Sequence, residues 1–390
     1  MKNEARVAVF LAIAAGLLGC SSGSGAASGT GGNAGAAGAA GSGGAGAQAG
    51  AGGAGAAPSF ADAVRSVSWT QLPAAPSVAG GAKQDDIFFL DENVGFVASG
   101  PTYSLLRTDD GGANWTTMFN SPGTLFRAVV FLDAMHGFAG NIGTGLAPSI
   151  TDDNVIYRTV DGGATWTAVA NISGPTPKGI CNFSAVDKQH VFAVGRANAP
   201  AHLVHSSDGG ETWVSKDLSA WFFMAIDLRF TSATDGIVAG MKDNRCTIMR
   251  TTDGGDSFTQ VFQSNTTGSL CWKIDFPSAD VGYVTVQDTL SGPGTFAKTT
   301  DGGQTFQELA LPTGDSYPGI GVGFITPEIG WMVSGSAQLP VYRTFDGGQT
   351  WEQEPALLGP INRFRFVSPT KGYAVGASVW KLEVPYSVSR

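Results

Sequence analysis

One nine-residue phrase recurs six times along this 390-residue chain: RTDDGGANW ending at Trp115, RTVDGGATW at Trp166, HSSDGGETW at Trp213, RTTDGGDSF at Phe258, KTTDGGQTF at Phe306 and RTFDGGQTW at Trp351. Counted between their aspartates, successive copies stand 45 to 51 residues apart. A period of that length restricts the chain to a repeat architecture, in which each repeat is one supersecondary unit that buries its apolar faces on its neighbours. The residue types describe a tight hairpin turn. Asp110, Asp161, Asp208, Asp253, Asp301 and Asp346 can accept from turn N–H groups, and the following Gly pair supplies positive φ. The hydroxyl residue before each aspartate adds a second local bond, and the closing Trp or Phe buries a ring. A repeated fold requires the same acid in every repeat and catalysis does not, so these six aspartates read as structural.

A second motif alternates with the first: an aromatic, a short polar turn, then Gly and an apolar run. It begins at Phe89, Phe131, Phe230, Phe276, Phe324 and Phe366, with a degenerate copy at Ala185 that has Val191 in place of the glycine. Seven first hairpins therefore stand against six boxed ones. A period of about 45 to 50 residues built from four short strands describes a propeller blade, so the expected fold is all-β, a single seven-bladed propeller. The last repeat stops after Val379-Trp380-Lys381, whereas Ser68-Trp69-Thr70-Gln71-Leu72 matches the segment that follows a box. The N-terminal strand is thus expected to complete the C-terminal blade and close the ring, leaving no open edge.

The first 58 residues are of another kind. Lys2 and Arg6 precede an apolar run, and Leu17-Leu18-Gly19-Cys20 resembles the lipobox of bacterial lipoproteins; the other reading is an ordinary secretory signal in which Cys20 is incidental. The run is shorter than a bilayer requires. Residues 21–58 are almost wholly Gly, Ala and Ser and cannot bury a core, so they read as a tether. The expected organisation is a signal peptide over 1–20, the tether over 21–58 and the propeller over 59–390. Lipid on Cys20 would hold the protein at the bacterial cell envelope, and Ser21 points to the outer membrane.

A formal net charge of -9 and a pI near 4.9 exclude nucleic acid and an anionic lipid surface as the main partner. The remaining cysteines are Cys181, Cys246 and Cys271. Cys246 and Cys271 fall at strand starts in adjacent blades and form a candidate disulfide; three buried thiols are the other reading. Neither the cysteines nor the four histidines have metal-ligand spacing, and no metal or cofactor is expected.

The boxes, one per blade and closed by an N-terminal strand, resemble those of the photosystem II assembly and stability factor family. That resemblance implies a seven-bladed, exported, non-catalytic chaperone that binds a protein during assembly. Two enzyme families also carry Asp boxes. Sialidases require an arginine in a Phe-Arg-Ile-Pro phrase, which is absent here. Xyloglucan-cleaving endoglucanases place one catalytic Asp on each of two propellers, and this chain has length for one. The expected function is a monomeric protein-binding or assembly module with no catalytic residue; the rival is a glycoside-hydrolysing or glycan-binding protein.

A propeller's first strands line its channel, so a site is sought there. Alternation along those strands singles out Asp86, Asp227, Arg229, Lys273, Asp275, Arg363 and Arg365 as binding candidates. Opposite charges recur at matching heights, which predicts interblade pairs Asp227 with Lys273, Arg229 with Asp275, and Arg363 with Asp86. Those pairs should keep Asp227 and Asp275 ionised near neutral pH. A second set of cations precedes each box: Arg107, Arg158, His205, Arg250, Lys298 and Arg343, with Lys381 in the unboxed blade. They read either as partners of nearby carboxylates or as a basic flank for docking.

Overall fold

In the computed structural model the described residues are 58–79, 81–195, 200–288, 294–311, 320–333 and 340–386. Cys20 and residues 1–57, the expected signal peptide and nearly all of the expected tether, lie outside them. Within the described residues the chain forms seven antiparallel sheets in sequence order. They span residues 86–120, 126–168, 182–217, 224–263, 269–310 and 322–358, and the last joins 363–383 to 70–71; they are called blades 1 to 7. The first strand of each blade touches the first strand of the next, and that of blade 7 touches that of blade 1, which closes the ring. Blade 3 carries a fifth strand, Ile172–Ser173, parallel to Trp213–Asp217 on its outer edge.

The closing strand is Thr70–Gln71, with Thr70 opposite Lys381 and Gln71 opposite Trp380. Trp69 anchors it, edge-on to Trp331 at 5.4 Å and to Phe364 at 5.6 Å between ring centres. A short helix, Phe60–Arg65, precedes it, a departure from an otherwise all-β expectation. Ser59 and Asp62 form a capping box that satisfies the first turn. Ala63 and Val64 pack into the core shared by blades 6 and 7.

All six boxes fold alike. The hydroxyl of Thr108 donates to Asp110 at 2.9 Å and accepts from the Gly112 N–H at 2.9 Å, and Asp110 accepts from the Asn114 N–H at 2.8 Å. Equivalent bonds recur at Asp161, Asp208, Asp253, Asp301 and Asp346. Gly111 and Gly112 take φ of 68° and 89°, which a side chain would strain.

The aromatic-to-glycine motif also has a steric cause. A Cβ on Gly95 would lie 2.4 Å from the Phe89 ring, and the same clash recurs in every blade that has both residues. In four blades the ring also stacks on an aromatic of the preceding blade: Phe89 on Tyr373 at 3.8 Å, Phe131 on Phe96 at 3.7 Å, Phe230 on Phe192 at 3.7 Å and Phe324 on Tyr283 at 3.6 Å. Blade 3 has Ala185 opposite Val191, so losing the ring and losing the glycine go together.

Cys246 and Cys271 are joined by a disulfide that ties blade 4 to blade 5, and Cys181 is a buried free thiol. Leu125, Ile142, Met224, Met241, Leu270 and Trp272 form one apolar cluster drawn from blades 2, 4 and 5 at the starting ends of the first strands. That cluster plugs one end of the channel.

Candidate functional site

The other end of the channel, where the first strands finish, opens as a depression of about 450 Å³. Phenylalanines at the strand ends wall it, and Asn182, Asp227, Arg229, Asp275, Arg363 and Arg365 supply its polar groups. These polar residues occupy alternate positions on their strands and turn inward, while their neighbours Phe183, Leu228, Ile274 and Phe364 pack between blades.

Carboxylates and hydroxyls at the mouth are spent on the next blade. Asp86 accepts from the Val129 N–H at 3.2 Å, Asp227 from Ile274 at 3.0 Å, Asp275 from Phe324 at 2.7 Å, and Ser184 from Phe230 at 2.9 Å. Arg365 closes the circle by donating from Nε to the Ile87 carbonyl at 3.1 Å. Each first strand is thereby held at one height against the next.

Arg363 is the hub. Its Nε lies 3.2 Å from Asp86 across the ring closure, and its Nη1 reaches across the channel to Asp227 at 3.0 Å. Burial alone would raise the Asp227 pKa, but Arg363 and then Lys273 outweigh it and hold the carboxyl below its ordinary range. Asn182 adds a further donor to Asp227.

Three expectations need correction. Asp227 forms no ion pair with Lys273 among the described residues; it pairs with Arg363 of blade 7 instead, and each of the two strands carries a bulge against its own hairpin partner, between Ala225 and Asp227 and between Cys271 and Ile274, which departs from strict alternation. Arg229 and Asp275 attract one another but do not form an ion pair: Arg229 lies over the Phe276 ring at 4.1 Å. Burial pushes the Asp275 pKa up to about 6 against the pull of Arg365, Arg363 and Arg229, so the carboxyl is still largely ionised near neutral pH but protonates in mild acid. Lys273 and Asp86 are buried behind the mouth, at 1% exposure each.

Behind the mouth stand groups that alternation does not find. Lys83 donates to Asp85 at 3.2 Å, Arg127 pairs with the same carboxylate, and Asn362 donates to the Asp85 carbonyl and accepts from the Trp272 indole at 3.2 Å. Arg127 sits at a bulge between Phe126 and Ala128, which turns it inward from what strict alternation makes an apolar position. Lys83 and Asp85 precede the first strand of blade 1, where no strand pattern exists.

The flank cations are largely committed. Arg107 pairs with Asp109 at 2.6 Å, Arg250 with Asp235 at 2.6 Å, Arg343 with Glu352 at 2.8 Å, Lys381 with Glu383 at 3.0 Å, and Arg158 with Glu211 of the next blade. Lys298 donates to the Gly347 carbonyl at 2.8 Å, and His205 stacks on Phe192 at 4.2 Å. A free basic band is therefore absent among the described residues. No group of three or more His, Cys, Asp or Glu residues suited to a metal ion occurs among them either.

The BNR/Asp-box repeat family model matches residues 342–353, the last of the six boxes. No curated protein matches the chain. Solved structures match it at low identity. YCF48 from Cyanidioschyzon merolae is 18% identical with a TM-score of 0.61, covering 81% of this chain and 99% of that one. YCF48 bound to D1 peptide is 18% identical with a TM-score of 0.59, covering 82% and 96%. The GH74 xyloglucanase from Xanthomonas campestris is 14% identical with a TM-score of 0.60, covering 83% of this chain and 54% of that one. At these identities the likeness carries the fold.

Proposed function

We propose that this chain is a non-catalytic, protein-binding propeller, tethered to a bacterial cell envelope through lipid on Cys20, and that its channel mouth receives an acidic group of a partner protein. The observation behind this reading is the imbalance at the mouth. Asp227 and Asp275 are each bound to the backbone of the adjacent blade, as is Asp86 behind them, whereas Arg365, though it donates to the Ile87 carbonyl and lies 3.5 Å from Asp86, keeps 32% of its side chain exposed, and Arg229 makes a ring contact and a distant attraction to Asp275. Guanidinium groups beside a phenylalanine-walled depression suit a carboxylate better than a neutral group. A propeller of the same shape, YCF48, has been solved with a D1 peptide bound, which supports a peptide as the class of ligand.

The rival, glycoside hydrolysis, has one observation in its favour: Asp275 carries a pKa of about 6, within reach of a general acid. A hydrolase also needs a second free carboxylate, and Asp227, the other one at the mouth, is held by Arg363. The test pairs two assays. A fluorescent acidic peptide with a free C-terminus should bind residues 58–390 and lose about tenfold or more in affinity on Arg365→Ala, the loss expected of a charged hydrogen bond worth about 1.5–3 kcal/mol. Sialosides, xyloglucan and other β-glucans should not be turned over. Turnover that disappears in a folded Asp275→Asn variant would establish the hydrolase instead.

A further inference from the structure

Deeper in the channel, between the mouth and the apolar plug, four cations are gathered in a space closed to solvent. Lys83, Arg127, Lys273 and Arg363 are 0–3% exposed. Three of them surround one indole: Lys83 Nζ lies 5.8 Å, the Arg127 guanidinium carbon 4.9 Å and Lys273 Nζ 6.0 Å from the centre of the Trp272 ring. Arg363 closes the side toward the mouth through Asp86 and Asp227. Only three carboxylates, Asp85, Asp86 and Asp227, are buried with them. Four positive groups thus face three negative ones. The mouth does not redress the balance: beyond Asp227 and Arg363, already counted, it adds Arg229 and Arg365 against Asp275, and Arg365 itself lies 3.5 Å from Asp86.

The donors tell the same story. Among the described residues no carboxylate, carbonyl or hydroxyl accepts a hydrogen bond from Lys273 Nζ, from Nε or Nη2 of Arg127, or from Nη2 of Arg363; the buried Cys181 thiol, a weak and neutral acceptor, is the group beside Arg127. Both guanidiniums lie close enough to Lys273 to act on its charge. Buried donors are satisfied in folded proteins, and a buried charge without a counter-charge costs far more than a paired one. Asp85 Oδ2 lacks a donor as well, and water could serve both kinds of atom. Water would leave the surplus positive charge uncompensated.

We propose that the mid-channel is a binding site for one small monovalent inorganic anion of about chloride size, held by Lys273 Nζ together with the free N–H groups of Arg127 and Arg363. One negative charge balances the cluster, and a compact spherical acceptor can take donors arriving from blades 2, 5 and 7 at once. The ion links those three blades, which are not neighbours in the ring, across the channel. This site is separate from the partner-binding role of the mouth and does not depend on it.

Loss of the Lys273 proton is the competing way to remove the surplus, and burial beside Arg363 and Arg127 pushes its pKa well below the ordinary value. The two are told apart by anion dependence. Thermal unfolding of residues 58–390 is followed in sodium bromide against sodium gluconate at equal ionic strength. Bromide should raise the midpoint saturably, by a few degrees, as ligands of the native state do, and Lys273→Met should abolish that difference. Crystals of the unmodified protein grown in bromide should show an anomalous peak within hydrogen-bond reach of Lys273 Nζ, a readout that stands even if the variant fails to fold. Equal midpoints in the two salts with no such peak would overturn the proposal, leaving a neutral lysine or water in the channel.

Discussion

Asp275 and the box aspartates respond to pH in opposite senses, for reasons visible around each carboxyl. Burial pushes Asp275 up to about 6, so on raising the pH the unfolded chain gives up its proton first, near 3.9. Between about pH 4 and 6 the folded state holds more protons, and its stability falls as the pH rises through that window. Asp208 is held down to about 2 by the Thr212 hydroxyl and backbone N–H, and Asp161 and Asp301 likewise by Thr165 and Thr305. Their contribution is present above about pH 4 and is lost as the pH falls toward 2. Asp275→Asn keeps an acceptor for the Phe324 N–H but cannot ionise. Its unfolding midpoint, measured against the parent from pH 4 to 8, should gain progressively on the parent up to about pH 6 to 7 and then run parallel; a constant offset across the range would mean that Asp275 titrates normally.

At the scale of strands, the closing segment Thr70–Gln71 is only two residues long and is held less by its ladder than by Trp69, which is 3% exposed between blades 6 and 7. Trp69→Ala should therefore destabilise the ring by about 3–5 kcal/mol, as large aromatic truncations in cores do, measured by urea unfolding. A loss below about 1 kcal/mol would show that the strand is dispensable. This closure was legible because the segment after Trp69 repeats the sequence that follows every box. The helix Phe60–Arg65 was not: six residues give too few turns for an apolar periodicity to register, and its place is set by Ala63 and Val64 meeting the last two blades. Bulges were equally hidden. Alternation set Lys273 opposite Asp227 and did not single out Arg127, and one extra residue in each of the strands that carry Lys273 and Arg127 rotates the side chains beyond it.

For the whole molecule, an apolar cluster lies at the starting ends of the first strands and a depression opens where they finish, with Arg363 and Asp227 at its base. Its first described residue is Pro58, and no helix among the described residues is long and apolar enough to cross a membrane. Attachment to a membrane thus rests on Cys20 in the proposed reading. Cys20→Ala should move the protein from the membrane fraction to the soluble one, or leave an unprocessed precursor, because one lipid-bearing cysteine is the anchor available. Normal processing with full membrane retention would remove the lipid from the account.

What the amino-acid sequence determined by itself is whatever a repeat states many times over: seven blades, the turn chemistry of the boxes, the glycine beneath each ring, the strand that completes the last blade. All but the closing strand are local, built from residues within one hairpin, and recur often enough to be read without a partner in view; the closing strand, which sets Thr70 opposite Lys381, was read from its likeness to the segment that follows a box. The functional candidates are different in kind. Asp86, Asp227, Arg363 and Arg365 could be named from their strands, yet the pairing of Arg363 with Asp227, 136 residues away in the chain, the gathering of Lys83, Arg127 and Lys273 around Trp272, and the raised pKa of Asp275 exist only once the ring is closed. Charges on different blades have no sequence relationship to one another. Their distances, and the water excluded from between them, are set by curvature and by bulges, and those are properties of the assembled ring.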